Sequence, residues 1–245
     1  MRKLVSLAVF IIFWHLMAIH IDLRILPSPV QVMEAIINNY ENILVHTGHS
    51  LRRIFLGMSS AVILGVICGV ALGYYKILDD IFSPYIYIFA PVPKISLLPL
   101  IMLFFGIGEF PTIFIIFLIT VFLVVLAAMG AVKNIPRQYF APLKTIKASD
   151  AYILKNIVFF AILPEVFTSI KIALATSISV LFFAETFGTR HGLGFYINDM
   201  WARFDYRQMY AGIVILGLIG YLLAALINAA EKIIIPWNFN GETND

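Results

Sequence analysis

The sequence predicts an all-α membrane protein of six transmembrane helices, and three observations carry that prediction. Hydrophobic residues make up 61% of the chain and charged residues only 13%, about half the charged share of a soluble domain. The apolar residues fall into blocks near the roughly 20 residues that cross a bilayer: Leu4 to Ile21, Phe55 to Tyr75, Phe82 to Phe105, Thr112 to Val132, Glu165 to Phe187 and Tyr210 to Ile235. Between the fourth and fifth blocks lies a polar interval with Lys133, Arg137, Lys144, Lys147 and Lys155. Placing each such cation in hydrocarbon costs roughly 2.5 to 3.5 kcal/mol, so this interval belongs outside it.

At the start, Met1-Arg2-Lys3 followed by Leu4 to Met17 has the charged and apolar parts of a signal peptide, but no small-x-small cleavage site precedes His20-Ile21-Asp22. A first transmembrane helix with a cytoplasmic N-terminus is the expectation. Residues 22–54 then combine a turn, Leu26-Pro27-Ser28-Pro29, with helical periodicity at Val30, Val32, Met33, Ile36, Ile37 and Tyr40, which predicts an interfacial helix outside.

The second block places Gly57, Ala61, Gly65, Gly69 and Gly73 at every fourth position. Small residues on one face let a neighbouring backbone approach closely, so this face is expected to be a helix-packing seam. The third block holds Pro91, Pro93 and Pro99 with Lys94 among them. Either the helix breaks at membrane depth beside a translocation path, or the span begins at Ile95 with Pro91 to Lys94 among the headgroups.

In the fifth block, Glu165 follows Pro164 and is expected in a first helical turn, where the helix dipole favours a carboxylate. Lys171 could snorkel or pair imperfectly with Glu165. Glu185, near the other end, is a candidate for gating or for holding the loop Gly188 to Gln208, which includes Arg190-His191-Gly192-Leu193-Gly194 and reads as external and re-entrant. Gly192 and Gly194 join it as gating candidates. Basic residues on the proposed inside (Arg2, Lys3, Lys76, Lys133, Arg137, Lys144, Lys147, Lys155, Lys232) number nine, against six outside (Arg24, Arg52, Arg53, Arg190, Arg203, Arg207), in the sense of the positive-inside rule. Lys94 and Lys171 fall within spans and decide nothing.

The single cysteine, Cys68, leaves no intrachain disulfide. No G-x-x-x-x-G-K-[ST] phosphate loop occurs, so any nucleotide is expected to be hydrolysed by another subunit. His46 and His49 share a helical face without a local carboxylate or thiol and are expected to be interfacial rather than metal ligands. The net charge of +3 gives no sign of nucleic-acid binding, and no convergent catalytic set is visible. An ion-coupled secondary transporter remains the alternative to an ATP-driven one; it would call for midplane charges and an internal repeat.

From about His49 to Ala229 the chain resembles the permease subunits of binding-protein-dependent ABC importers, in the branch of nitrate, sulfonate, taurine and pyrimidine-precursor systems. The resemblance rests on His49-Ser50-Leu51-Arg52-Arg53 before the glycine-rich helix, Pro91-Val92-Pro93-Lys94-Ile95-Ser96-Leu97-Leu98-Pro99-Leu100, Phe104-Phe105-Gly106-Ile107-Gly108-Glu109, and the closing Glu185, Gly188 and Gly192-Leu193-Gly194-Phe195-Tyr196-Ile197. The polar interval is similar to the family's E-A-A-x-x-x-G-A-S coupling loop, with Ala141-Pro142-Leu143 replacing Glu-Ala-Ala and Lys147 replacing the turn glycine, while Ala148-Ser149 and Leu163-Pro164 are kept. A lysine forced to positive φ costs about 1 kcal/mol or more, so a different turn is expected there.

The resemblance implies a type I importer permease fold, with residues 1–48 as an N-terminal helix and external segment, 49–235 as the permease core with a cytoplasmic loop 133–163, and 236–245 as a cytoplasmic tail. It implies that Leu143, Lys144, Thr145, Ile146, Lys147, Ala148, Ser149, Asp150, Ala151 and Tyr152 seat an ATP-binding cassette ATPase. It further implies a second permease copy, a solute-binding protein, no cofactor in this chain (ATP and magnesium belonging to the ATPase), and a multi-pass inner-membrane location with both termini cytoplasmic.

Overall fold

A computed structural model describes residues 2–21, 25–145 and 147–238. Ile146 and the side chains of Lys144 and Thr145 in the polar loop, and residues 239–245 of the tail, lie outside what it describes. Among the described residues all regular structure is helical. Four helices among the described residues are long and apolar enough to cross a membrane: α3 (Tyr40–Tyr74), α6 (Glu109–Lys133), the continuous run Asp150–Gly188, and α11 (Tyr206–Ile234). The third predicted span is bent rather than continuous, its halves meeting at 84°, and counts as a fifth only as a pair. Six is reached only if α1 (Arg2–Ile21), whose counted apolar stretch is Ala8–His20, crosses as well.

After α1, the chain enters α2 (Pro29–Asn38). Ser28 caps it by accepting from Gln31 N–H at 3.4 Å, while the Gln31 side chain accepts from Ser28 N–H at 3.0 Å, a capping box with proline at the first helical position. This helix does not merely float at an interface. Val32 and Ala35 are buried against Tyr196 and Ala211, leaving Val30, Met33 and Ile37 on the open side.

The second predicted span lies within α3, which begins at Tyr40 rather than Phe55 and has 35 residues, about 52 Å at 1.5 Å each. It outruns a bilayer core of about 30 Å. Along it Gly57, Gly65, Gly69 and Gly73 face the row Ile116, Val124, Ala128 and Val132 of α6, with Ala61 fully buried in the same seam. A β-carbon at Gly69 would stand 2.7 Å from both the Ala128 Cβ and the Val125 carbonyl oxygen, so the helices touch at backbone distance.

The bent pair is α4 (Lys76–Phe89) and the run Lys94–Phe105, in which a 3-10 turn, Lys94–Leu97, leads into α5 (Leu98–Phe105). Pro91 and Pro93 cannot donate to the carbonyls of the preceding turn, and Lys94 answers that deficit: its Nζ donates to the Phe89 carbonyl at 2.7 Å and to that of Ala90, with the ammonium 4.5 Å from the Phe122 ring centre. Lys94 therefore closes the end of α4.

Beyond α6 come α7 (Ala141–Thr145) and α8 (Asp150–Ile153), which continues through a π-turn at Leu154–Val158 into α9 (Phe159–Gly188). Pro164 is inside this helix and does not start it; Ser149 does, accepting from Tyr152 N–H at 3.3 Å. The interval expected as a loop to Leu163 is thus helical from Asp150, and Glu165 is a mid-helix residue rather than a first-turn one. Lys171 pairs with Glu231 of α11, not with Glu165. The segment after α9 contains α10 (Leu193–Ala202), which leads into α11.

Candidate functional site

The bundle has two chemically different ends. The loop end gathers the C-termini of α3 and α6 with the start of α8. Here Leu143 and Ala148 pack against a core of Ala131, Val132, Ile135, Ile153, Val158 and Ile162. Lys147, Ser149, Asp150, Ala151 and Tyr152 stay exposed. The Tyr74 hydroxyl donates to Asp150 Oδ1 at 2.9 Å, and Lys133 reaches Asp79 at 2.6 Å. The loop is a small apolar plug with a polar outer face.

Lys147 has φ +51°. The expectation of a different turn is corrected: the chain keeps the left-handed conformation usually given to glycine. The reason is visible in the next bond, from Ala148 N–H to the Leu143 carbonyl at 3.0 Å. That six-to-one closure is the Schellman ending of α7, which requires a left-handed residue just before the donor.

The opposite end is organised around Arg53, 1% exposed on α3. Its Nη1 donates to Glu185 Oε1 at 2.6 Å and to the His191 carbonyl at 2.7 Å. Nε and Nη2 donate to Glu109 Oε2 and Oε1 at 2.9 and 2.5 Å, a two-pronged pair. Glu185, fully buried, also accepts from Ser50 Oγ at 2.8 to 2.9 Å and from Gly194 N–H at 2.8 Å. Ser50 Oγ in turn accepts from Leu193 N–H at 2.8 Å.

His46 Nδ1 accepts from Gly192 N–H at 3.0 Å, which needs a lone pair there and leaves the ring proton on Nε2. The first three amides at the start of α10, which have no intrahelical acceptor, are thus taken by His46, Ser50 and Glu185 from other helices. A carboxylate at a helix N-terminus is the favourable sign for its dipole. Gly192 has φ +119°, and a β-carbon on it would collide with Glu185 Cδ and lie 2.5 Å from Arg53 Nη1, so both conformation and space demand glycine. His49 contacts Glu109 at 3.3 Å and stacks on His191 at 4.8 Å. Beside this cluster Tyr196 donates to Gln208 Oε1 at 2.6 Å and accepts from Asn39 Nδ2 at 3.1 Å; its burial pushes the phenol above its ordinary pKa.

Of the sequence candidates, Glu185, Gly192 and Gly194 meet in one cluster, while the loop residues gather roughly 50 Å away along the helical run from Asp150, at its rise per residue. Sequence reasoning missed Arg53, Ser50 and Glu109, and set His46 and His49 aside as interfacial. A signal existed: His46, Ser50 and Arg53 extend backwards, at steps of four and three, the face that Gly57 to Gly73 bury. Polar residues on a buried face need buried partners. Among the described residues no three His, Cys, Asp or Glu side chains converge to hold a metal, and the cluster offers a clamp rather than a nucleophile.

Over 95% of its length the chain is 30% identical to the taurine transport system permease protein TauC of Escherichia coli, covering 88% of it. It is 26% identical to the nitrate import permease protein NrtB of a Synechocystis species (96% of this chain, 89% of that one) and 26% identical to the formylaminopyrimidine transport permease protein ThiX of Halalkalibacterium halodurans (87% and 86%). In fold it matches a chain of the MetNI methionine ABC transporter in an inward-facing conformation, with TM-score 0.65 and 20% identity over 76% of this chain and 93% of that one. The family model of the binding-protein-dependent transport system inner membrane component matches residues 61–239, and the chain belongs to that family.

Proposed function

We propose that the chain is the permease subunit of an ATP-driven importer, forming with a second copy the path for a small solute that a solute-binding protein delivers. The relatives' solutes, taurine, nitrate and formylaminopyrimidine, set the size class. The loop end faces the cytoplasm with both termini, and Leu143 to Tyr152 is the seat of an ATPase that holds the ATP and magnesium; this chain needs no cofactor.

The observation that carries the reading is the loop itself. Leu143 and Ala148 root it in the core while Lys147, Ser149, Asp150, Ala151 and Tyr152 are presented outward. A partner that grips the outer face moves the plug, and with it α6 and α9, so a nucleotide-dependent change in the partner reaches the bundle. The Arg53 cluster holds α3, α6, α9 and α10 together at the external end, so that they swing as one body.

The test is co-purification of the detergent-solubilised chain from its native membrane, with residues Ala141 to Ala151 intact or scrambled. A nucleotide-binding subunit should accompany the intact chain and be lost on scrambling. A folded intact chain that brings down no such subunit would refute the assignment.

A further inference from the structure

The open face of α9 differs in character from that of α11. Glu165, Thr168, Ile172, Thr176, Ser179 and Phe183 are all exposed, and their steps of three and four put them in one stripe along the helix. Four of the six are polar. The open face of α11 is made of residues such as Leu218, Tyr221, Leu222 and Leu226, as lipid contact requires. Glu165 lies at the loop end of this stripe, and among the described residues its carboxylate makes neither an ion pair nor a hydrogen bond. At the same point a cavity of about 500 Å³ opens, lined by Asn134, Tyr139, Asn156 and Glu165 among others. The stripe therefore runs out of a cavity of mixed polar and apolar lining at the loop end and up the length of the span.

Its hydrogen-bonding character is one-sided. Thr168 donates its only hydroxyl proton to the Pro164 carbonyl at 3.0 Å, Thr176 to Ile172 at 3.1 Å and Ser179 to Ala175 at 3.3 Å. Each hydroxyl then shows only oxygen lone pairs to whatever lies beside it. Glu165 likewise only accepts. Lys171, the cation of this stretch of helix, is taken by Glu231.

We propose that this stripe lines the solute path and that it takes a solute presenting N–H donors, such as an ammonium group, rather than a bare anion. The proposal rests on the importer reading above and adds to it the lining residues and the chemical class of cargo. A solute of that class exchanges water for the hydroxyl and carboxylate acceptors as it passes. A bare anion finds no donor on the stripe and is repelled by Glu165.

The chain has one cysteine, Cys68, so Cys68→Ala gives a background for single reporters. In the assembled transporter, Thr168→Cys, Thr176→Cys and Ser179→Cys are treated with cationic and anionic methanethiosulfonates, with Leu222→Cys on α11 as the lipid-facing control and rates corrected for those of a free thiol. The stripe cysteines should react and the control should not. At Thr168→Cys, one turn from Glu165, the cationic reagent should be faster by about tenfold, the difference expected for two opposite unit charges near a carboxylate in a wet path. Adding Glu165→Gln should abolish that preference. Stripe cysteines as inert as the control would overturn the path assignment, and equal or reversed rates at Thr168→Cys would overturn the cargo class. Co-purification of the nucleotide-binding subunit, measured on the same membranes, separates either result from a failure of the importer reading.

Discussion

The two ends of this bundle solve opposite problems. At the Arg53 end the buried charges are met: one guanidinium serves two carboxylates and a backbone carbonyl, and three orphan amides of α10 find side-chain acceptors. At the loop end Leu143 and Ala148 hold an otherwise exposed segment, and Lys147 sits in a conformation that costs it energy. Between them α3 and α6 are in backbone contact along the glycine seam. A stiff rod fixed at one end and lightly held at the other moves at the lightly held end. The difference thus teaches where the bundle can yield and where the helices stay joined.

The comparison breaks most severely if the stiff end is dismantled. Arg53→Ala leaves Glu185 buried without its cation, and loss of one partner of a buried pair costs about 3 to 5 kcal/mol; thermal unfolding of the purified chain should show the largest fall of any single substitution proposed. Gly192→Ala comes next. Strain at φ +119° alone is of the order of 1 to 3 kcal/mol, and the new methyl collides with the Arg53–Glu185 pair. If Gly192→Ala melts with the parent, the clamp does not fix the start of α10 as described.

The seam is tested by a matched pair of glycines. Gly69→Val drives a side chain into the Ala128 Cβ and the Val125 carbonyl, and overpacking of this kind costs about 1 to 3 kcal/mol. Gly217 on α11 has nothing within 4 Å of the place a β-carbon would take, so Gly217→Ala should stabilise, by up to about 1 kcal/mol. Equal effects in both would mean that α3 and α6 are not in backbone contact.

What was legible in the sequence follows the range of the interaction. The seam is a repeat within one helix, and it is visible in Gly57 to Gly73. The family resemblance, too, lies in contiguous runs. Arg53 reads as an external positive charge because its partner Glu185 lies 132 residues away; the buried face it shares with His46, Ser50 and Gly57 signals burial but names no partner. The bend between α4 and α5 was half legible: the prolines announced a break, but only the Lys94 ammonium on the carbonyls of Phe89 and Ala90 explains how its end is closed. The helix that carries the fifth span starts earlier than Pro164 suggests, because Ser149 supplies the cap and the π-turn at Leu154–Val158 lets the helix run on.

The smallest effect expected is at Lys147, and it sharpens the contrast from the other side. The Ala148-to-Leu143 bond forces residue 147 into the left-handed region whatever its side chain. For an L-residue with a β-carbon that conformation costs about 1 to 2 kcal/mol; glycine escapes the cost, but the extra freedom of its unfolded chain offsets part of the gain. Lys147→Gly should therefore stabilise the loop by about 0.5 to 1 kcal/mol, the difference of those two effects, read as slower amide exchange at Ala148 with the Arg53 end unchanged. If the loop tightens and ATPase capture is unaffected, the lysine is a tolerated passenger in a glycine's place. If the loop tightens and capture falls, the exposed ammonium is itself a contact with the partner, and the energy held in the turn is the cost of presenting it.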